Sequence, residues 1–175
     1  MKLLDPQMEL AWYAVYAQVR HESKVYSRLL AKSFDCLFPQ MERWSRRRDR
    51  RKKIHVPIFP GYLFVRTILD NHEHVRILQT PGVVNLVRSK DGPLSIPESQ
   101  INSLITLLGN SAVLTKHPYL KEGMRVRIVH GPLYGCEGIL ISRKEERARL
   151  VVAIDIIQQA VSVELNEEDV EPLSP

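Results

Sequence analysis

With 175 residues, 44% of them hydrophobic, the chain holds enough apolar material for one medium domain or two small ones, and too much for a disordered polymer. The net charge of +5 is unevenly divided: residues 1–120 carry 18 Lys+Arg against 10 Asp+Glu, or +8, whereas residues 121–175 carry 7 against 10, or −3. That split predicts nucleic acid as a partner for the front and protein as a partner for the back. Cys36 and Cys136 stand a hundred residues apart, which excludes a metal or redox spacing and predicts two inert, reduced thiols. Asp5 and Glu9 interrupt the apolar N-terminus, and no apolar run approaches a membrane span. The expectation is therefore a soluble cytoplasmic protein without a signal peptide.

Leu10 to Gln18 reads as a first strand, rich in aromatics. A helix follows from about Arg20 to Ser33, with Val25, Tyr26, Leu29 and Leu30 on one face and Arg20, Lys24, Arg28 and Lys32 on the other. Cys36–Met41 and Ile54–Ile58 are extended pieces joined by a polar excursion, and 58–67 is a turn leading into a strong strand. Asp70 and Glu73 have capping-box spacing and open a short helix to about Gln79, which Thr80-Pro81-Gly82 stops. Val83–Val87 is a further strand and Lys90 to Pro93 a turn. Pro97 is placed at the first position of another helix, with Ile101, Leu104, Ile105 and Leu108 inward and Gly109 as its stop. This front is a β-α-β-β-α-β-α unit, compatible with a ferredoxin-like α/β sandwich.

Residues 110–120 show little pattern and are read as a linker. Beyond them lie strands at 125–129, 138–142, 150–155 and 160–165, with a closing tail at 169–172. In the first of these, Val126 and Ile128 face one side and Arg125 and Arg127 the other. Gly131-Pro132 breaks the ladder, and Gly135 and Gly138 give the backbone freedom for a tight return. Several short strands in so short a segment predict a small SH3-like β-barrel, making the whole chain α+β. Leu150, Ala153, Ile154, Ile157 and Val161 also fit helical spacing, so a helical form of 145–165 stays open as an alternative.

Gly123-Met-Arg-Val-Arg-Ile128, the turn Gly131-Pro-Leu-Tyr-Gly-Cys-Glu-Gly138 and the later Val161-Ser-Val-Glu-Leu165 together resemble a KOW domain. Trp12-Tyr13, Phe59-Pro-Gly-Tyr-Leu-Phe-Val65 and Thr80-Pro-Gly-Val83 resemble the N-terminal domain of NusG-type transcription elongation factors. The resemblance covers roughly residues 10–173 and implies an N-terminal domain over 8–109, a linker over 110–120 and a KOW domain over 121–173. It implies a non-enzymatic, monomeric regulator without cofactor or metal. Such a factor binds the clamp helices of bacterial RNA polymerase, suppresses pausing or termination, and recruits Rho or a small-subunit ribosomal protein through its KOW domain. Leu37-Phe38-Pro39 and the arginine-rich excursion resemble specialised, RfaH-like antiterminators more than the general factor.

Carried onto this chain, the resemblance implies polymerase contact by Phe59 and Tyr62 with Tyr16 beside them, and gate-loop contact by His72, Glu73 and His74. It implies contact of Arg20, Lys24, Arg28 and Lys32 with the non-template DNA strand, and binding of the second protein by Leu133 and Tyr134. Each assignment has a plainer counterpart. The aromatics could fill the core, the basic ridge could be a solvated helix face, and Leu133 could pack over its own turn. Tyr13 and Phe64 are read as core. Arg46 to Lys53 places seven positive charges in eight residues and is read as an exposed hairpin tip, for nucleic acid, an acidic surface or solubility alone. His72 and His74 lack zinc spacing, and no phosphate loop or nucleophile elbow appears. The competing reading is a KOW-containing ribosomal or RNA-binding protein centred on 121–175, which the acidity of that half disfavours.

Overall fold

The computed structural model describes residues 9–45, 52–110, 114–117, 123–142, 147–166 and 169–173. In chain order come β1 (Leu10–Ala17), α1 (Glu22–Ala31), β2 (Asp35–Leu37), β3 (Gln40–Trp44), β4 (Lys53–Pro57), β5 (Tyr62–Ile68), α2 (Asn71–Leu78) and β6 (Val83–Leu86). Then follow β7 (Arg88–Ser89), β8 (Gly92–Pro93), β9 (Ser95–Ile96), α3 (Glu98–Gly109), β10 (Thr115–His117), β11 (Met124–Ile128) and β12 (Glu137–Ser142). The last are β13 (Arg147–Ile154), a 3-10 turn (Asp155–Ile157), β14 (Gln159–Asn166) and β15 (Val170–Pro172). The architecture is mixed α/β, and contacts divide it into two compact units, Met1–Pro39 with Phe59–Ile96, and Gln40–Ile58 with Pro97–Pro175.

In the first unit β1 is central, with β5 along one edge and β6 and then β9 along its two halves; β2 lies outside β5, and every pairing is antiparallel. Alternation along β1 sends Tyr13, Val15 and Ala17 into a core with Leu63 and Val65 of β5, Val25 and Leu29 of α1, and Ile77 of α2. The two helices therefore cover one sheet face. Asp70 caps α2 as its spacing predicts, its Oδ1 accepting from the Glu73 N–H at 2.7 Å. The first helix is shorter than periodicity suggests. Arg20 sits at φ 66, in the left-handed region, so helical backbone begins only at Glu22.

The second unit holds three pieces. The β3–β4 ribbon pairs Gln40 with Pro57 through Trp44 with Lys53, and β3 and β4 form a sheet of two strands. Of the arginine-rich run, only Lys52 and Lys53 belong to the described residues; 46–51 lie outside them. The second piece is an antiparallel sheet in the order β10-β14-β13-β12-β11-β15. Its strand β10 falls inside the stretch read as a linker. The third piece, α3, packs against β12 and β13. Pro97 is the N-cap of α3 and not its first helical residue, with ψ 130 still extended. The buried face is Ile101, Ser103, Leu104 and Leu107, whereas Ile105, expected inward, is exposed. Ser103 turns inward because its Oγ accepts the Glu137 N–H at 2.8 Å, and Gln100 Nε2 donates to Asp155 Oδ2 at 2.8 Å.

Residues 147–154 and 159–166 are strands, not the helix left open by their spacing. Leu150, Val151 and Val152 are all buried, as are Ala160 through Val163, so both faces of these strands are enclosed. Such strands lose the period-two signature, which is why a helical period could be read into them. Gly138 also plays a role other than the one expected. It lies within β12, where a Cβ would meet the Val151 carbonyl oxygen at 2.4 Å; close backbone approach, not turning freedom, requires glycine there.

Candidate functional site

Tyr16 and Tyr62 are directly opposed across the β1–β5 ladder, with ring centroids 5.3 Å apart and planes tilted by 43°. Alternation places both on the sheet face opposite the helices. Trp12, Ala14 and Phe64 on that face are enclosed, but Tyr16 is 38% exposed and Tyr62 half-buried. The pair is thus an open aromatic rim beside a closed surface.

The turn before Tyr62 is built to hold this pair. Tyr62 N–H donates to the Phe59 carbonyl at 3.0 Å, and Gly61 adopts φ 85. A Cβ at Gly61 would stand 3.0 Å from Tyr16 Cε2, so glycine serves both the turn and the tyrosine ring. The two outward groups of Gly61 are also fixed: Ala17 N–H donates to its oxygen at 2.8 Å, and its own N–H donates to Glu22 Oε1 at 2.9 Å. Glu22 is buried, and sequence reasoning missed it; a lone acid at the start of a basic helix was its only signal. Phe59, expected among the contact aromatics, is corrected to a core position. It is 1% exposed and meets Phe64 edge-on at 6.2 Å, so it shapes the turn from within.

The basic ridge is not four equivalent cations. Arg20 and Lys24 are exposed, and no hydrogen bond to Lys24 occurs among the described residues. Arg28 Nη1 instead donates to the Pro81 carbonyl at 2.6 Å. Lys32 Nζ donates to the Arg76 carbonyl and to Thr80 Oγ1, each at 2.8 Å. These two residues satisfy oxygens at the C-terminal end of α2, where cations are electrostatically favoured. The +8 of the front is likewise redistributed: the first compact unit carries 9 Lys+Arg against 7 Asp+Glu, or +2, because residues 40–57 contribute 8 against 2, or +6.

On α2, His72 is exposed while His74 and Glu73 are partly buried. Glu73 is held by Arg76, whose Nη1 lies 2.8 Å from Oε1, and Arg76 Cζ sits 4.9 Å over the Phe34 ring. Ligand-type atoms of Asp70, His72 and Glu73 lie within 4.8 Å of one another, but the Asp70 cap and the Glu73–Arg76 pair already account for both carboxylates. In the second unit, Gly131 and Gly135, at φ 81 and φ 83, frame a turn that leaves Tyr134 70% exposed and Leu133 half-buried. Leu133 lines a groove of about 550 Å³ with Pro132, Ile128, His130, Leu165 and Asp169. Burial raises the pKa of the Cys36 thiol to about 12, with Asp35 adding to the shift, and burial also raises that of Cys136.

No described helix is long and apolar enough to cross a membrane. A solved structure of NusG from Thermotoga maritima, concerned with its domain interaction, shares the fold at a TM-score of 0.54 and 22% identity, covering 96% of this chain and 99% of that one. The transcription termination/antitermination protein NusG of Thermus thermophilus is 27% identical over 177 residues, covering 91% of this chain and 96% of its own. Its counterpart in Borreliella burgdorferi is 28% identical over 186 residues, covering 95% and 100%. The sequence model of NusG, described as transcription termination factor, matches residues 10–105, more than half of the chain. The chain therefore belongs to the NusG family of transcription termination and antitermination factors.

Proposed function

We propose that the protein binds the clamp helices of bacterial RNA polymerase through the surface around Tyr16 and Tyr62, where it suppresses pausing or termination. The opposed, partly exposed tyrosines carry this reading. Rigid aromatic area held by a fixed turn is the kind of anchor that dominates protein interfaces. On this reading residues 8–109 are a ferredoxin-like N-terminal domain, 110–120 a linker and 121–173 an SH3-like KOW domain. The helix-on-sheet layering of the first unit supports the ferredoxin-like reading and the antiparallel sheet at 115–172 the SH3-like one. Strand β10 and the grouping of Gln40–Ile58 and α3 with the C-terminal strands run across those bounds. His72, Glu73 and His74 face the polymerase gate loop. Arg20 and Lys24 are the ridge cations available to the non-template strand, while Arg28 and Lys32 add positive potential from their fixed positions. Leu133 and Tyr134 engage Rho or a small-subunit ribosomal protein. The arginine-dense excursion and Leu37-Phe38-Pro39 favour a specialised, RfaH-like factor.

The test is co-purification with core polymerase. Tyr62→Ala and Tyr16→Ala should each weaken retention by about tenfold or more, the order expected for an interface anchor. Wild-type retention by both would remove the tyrosines from the contact.

A further inference from the structure

We propose that Asn85 is a third contact residue of the Tyr16–Tyr62 surface, donating a hydrogen bond from its side-chain amide to an acceptor oxygen on the polymerase helices. This rests on the proposed polymerase contact and adds to it a polar, specificity-determining position. Register is the first observation. Tyr62 stands opposite Tyr16 across β5 and β1, and Tyr16 stands opposite Asn85 across β1 and β6. Directly opposed residues share a sheet face, so these side chains form one row over three adjacent strands. The next opposed pair, Val15 and Leu86, points the other way, into the core beneath the helices. Asn85 is exposed, at the open end of the row.

The local backbone is shaped to present it. The β1–β6 register shifts after Tyr16, so that Ala17 meets Val83 and Val84 has no partner on β1. This bulge lets Val83 pack against the core while Asn85 keeps its place beside Tyr16, and it leaves Val84 52% exposed. Leu86 N–H donates to Asn85 Oδ1 at 2.9 Å. A backbone N–H can only donate, so this bond fixes which end of the amide is oxygen and leaves the Nδ2 protons unused. No partner for Nδ2 occurs among the described residues.

The row therefore offers aromatic surface first and N–H donors last. Neighbouring strands lie about 4.8 Å apart, close to the ~5.4 Å pitch of an α-helix. Successive turns of a helix laid across the strands thus meet successive members of the row. The chemistry selects apolar residues against the tyrosines and, about two turns along, a carbonyl, amide or carboxylate oxygen against Asn85. An aliphatic side chain there would leave the donors desolvated and unpaired, which is how the position discriminates.

A plainer role for Asn85 is to satisfy the Leu86 N–H, and two variants separate the roles. Asn85→Asp keeps an oxygen for that bond and removes the donors, whereas Asn85→Ala removes both. Binding of the labelled full chain to core polymerase should weaken roughly tenfold in each. In Asn85→Asp the urea unfolding midpoint should stay where it is. Wild-type affinity in Asn85→Asp would return Asn85 to its backbone role and overturn the proposal. Wild-type affinity in Asn85→Ala would overturn it too, since the loss in Asn85→Asp would then be charge repulsion. Tyr16→Ala and Tyr62→Ala, measured alongside, tell the two failures apart. Weakened tyrosine variants with wild-type Asn85 variants would sink the inference alone. Wild-type affinity in both tyrosine variants would sink the polymerase contact and the row together.

Discussion

The α1 ridge and the β3–β4 ribbon are both rich in cations, yet they use charge differently. On α1, two of the four cations donate to specific oxygens, Arg28 to Pro81 and Lys32 to Arg76 and Thr80. Arg76 returns the contact, its Nη2 donating to the Lys32 carbonyl at 2.6 Å. These bonds fasten the end of one helix to the end of another. The ribbon cations lie on a two-stranded ladder with high exposure, Lys53 Nζ standing 5.9 Å from the centroid of the exposed Trp44 ring. Clustered basic residues therefore have two physical meanings, an internal clasp and an outward field, and only the acceptors around each cation separate them.

The comparison can be broken most forcefully at Lys32. Lys32→Ala removes two partly buried hydrogen bonds and should destabilise the first unit by about 1–2 kcal/mol, read from urea unfolding. No loss of stability would mean the clasp is decorative. Charge reversal of Arg28 and Lys32 is for the same reason a confounded probe of DNA contact. Lys24→Glu separates the two roles, since it should leave stability within about 0.5 kcal/mol while weakening crosslinking to the non-template strand. Equal crosslinking would reduce the ridge to its clasp.

Ribbon substitutions should show the converse pattern. Trp44→Ala and Lys53→Ala are expected to shift unfolding by no more than about 0.5 kcal/mol, because both side chains are exposed. A larger shift in the unfolding midpoint would assign the ribbon a structural role. The smallest effect concerns the thiols, which report on the two units separately. Cys36, with its pKa raised to about 12, stays protonated when an unfolded thiol near 9.0 has ionised. Its contribution to stability is full below pH 9.0 and is lost as pH rises towards about 12. At neutral pH, alkylation of Cys36 should be slow in the wild type and faster in Lys32→Ala, with Cys136 unchanged. Parallel acceleration of both would show that the substitution loosens more than the first unit.

Much of this was readable from residue order alone. The aromatic first strand, the Asp70 cap and the alternation of Val126 and Ile128 each depend on local rules that sequence displays directly. Opposition of Tyr16 and Tyr62 was partly legible, because the Phe-Pro-Gly-Tyr turn announces itself, although the register does not. What escaped was tertiary. Phe59 and Tyr62 look alike in sequence, and only the turn decides that one points inward. The phase of α3 was misjudged because a hydrogen bond from Glu137 draws Ser103 in and leaves Ile105 out. The grouping of the ribbon and α3 with the C-terminal strands rests on contacts distant in sequence, which no local pattern encodes. Trp44 did leave a signal, a lone indole beside an arginine run, but its exposure had to be seen.

The ladder between β13 and β14 has a consequence for the order of assembly. It joins eight residue pairs, from Arg147 with Asn166 to Ile154 with Gln159, around one short turn. The β11–β15 ladder joins three pairs, Arg127 with Glu171 among them, across most of the C-terminal segment. Loop closure disfavours distant partners until near ones have met. The β13–β14 hairpin is thus expected to form early and to commit the segment to strand before its helical periodicity can be used. Strand β15, arriving from the far end, then acts as the final clasp of the sheet.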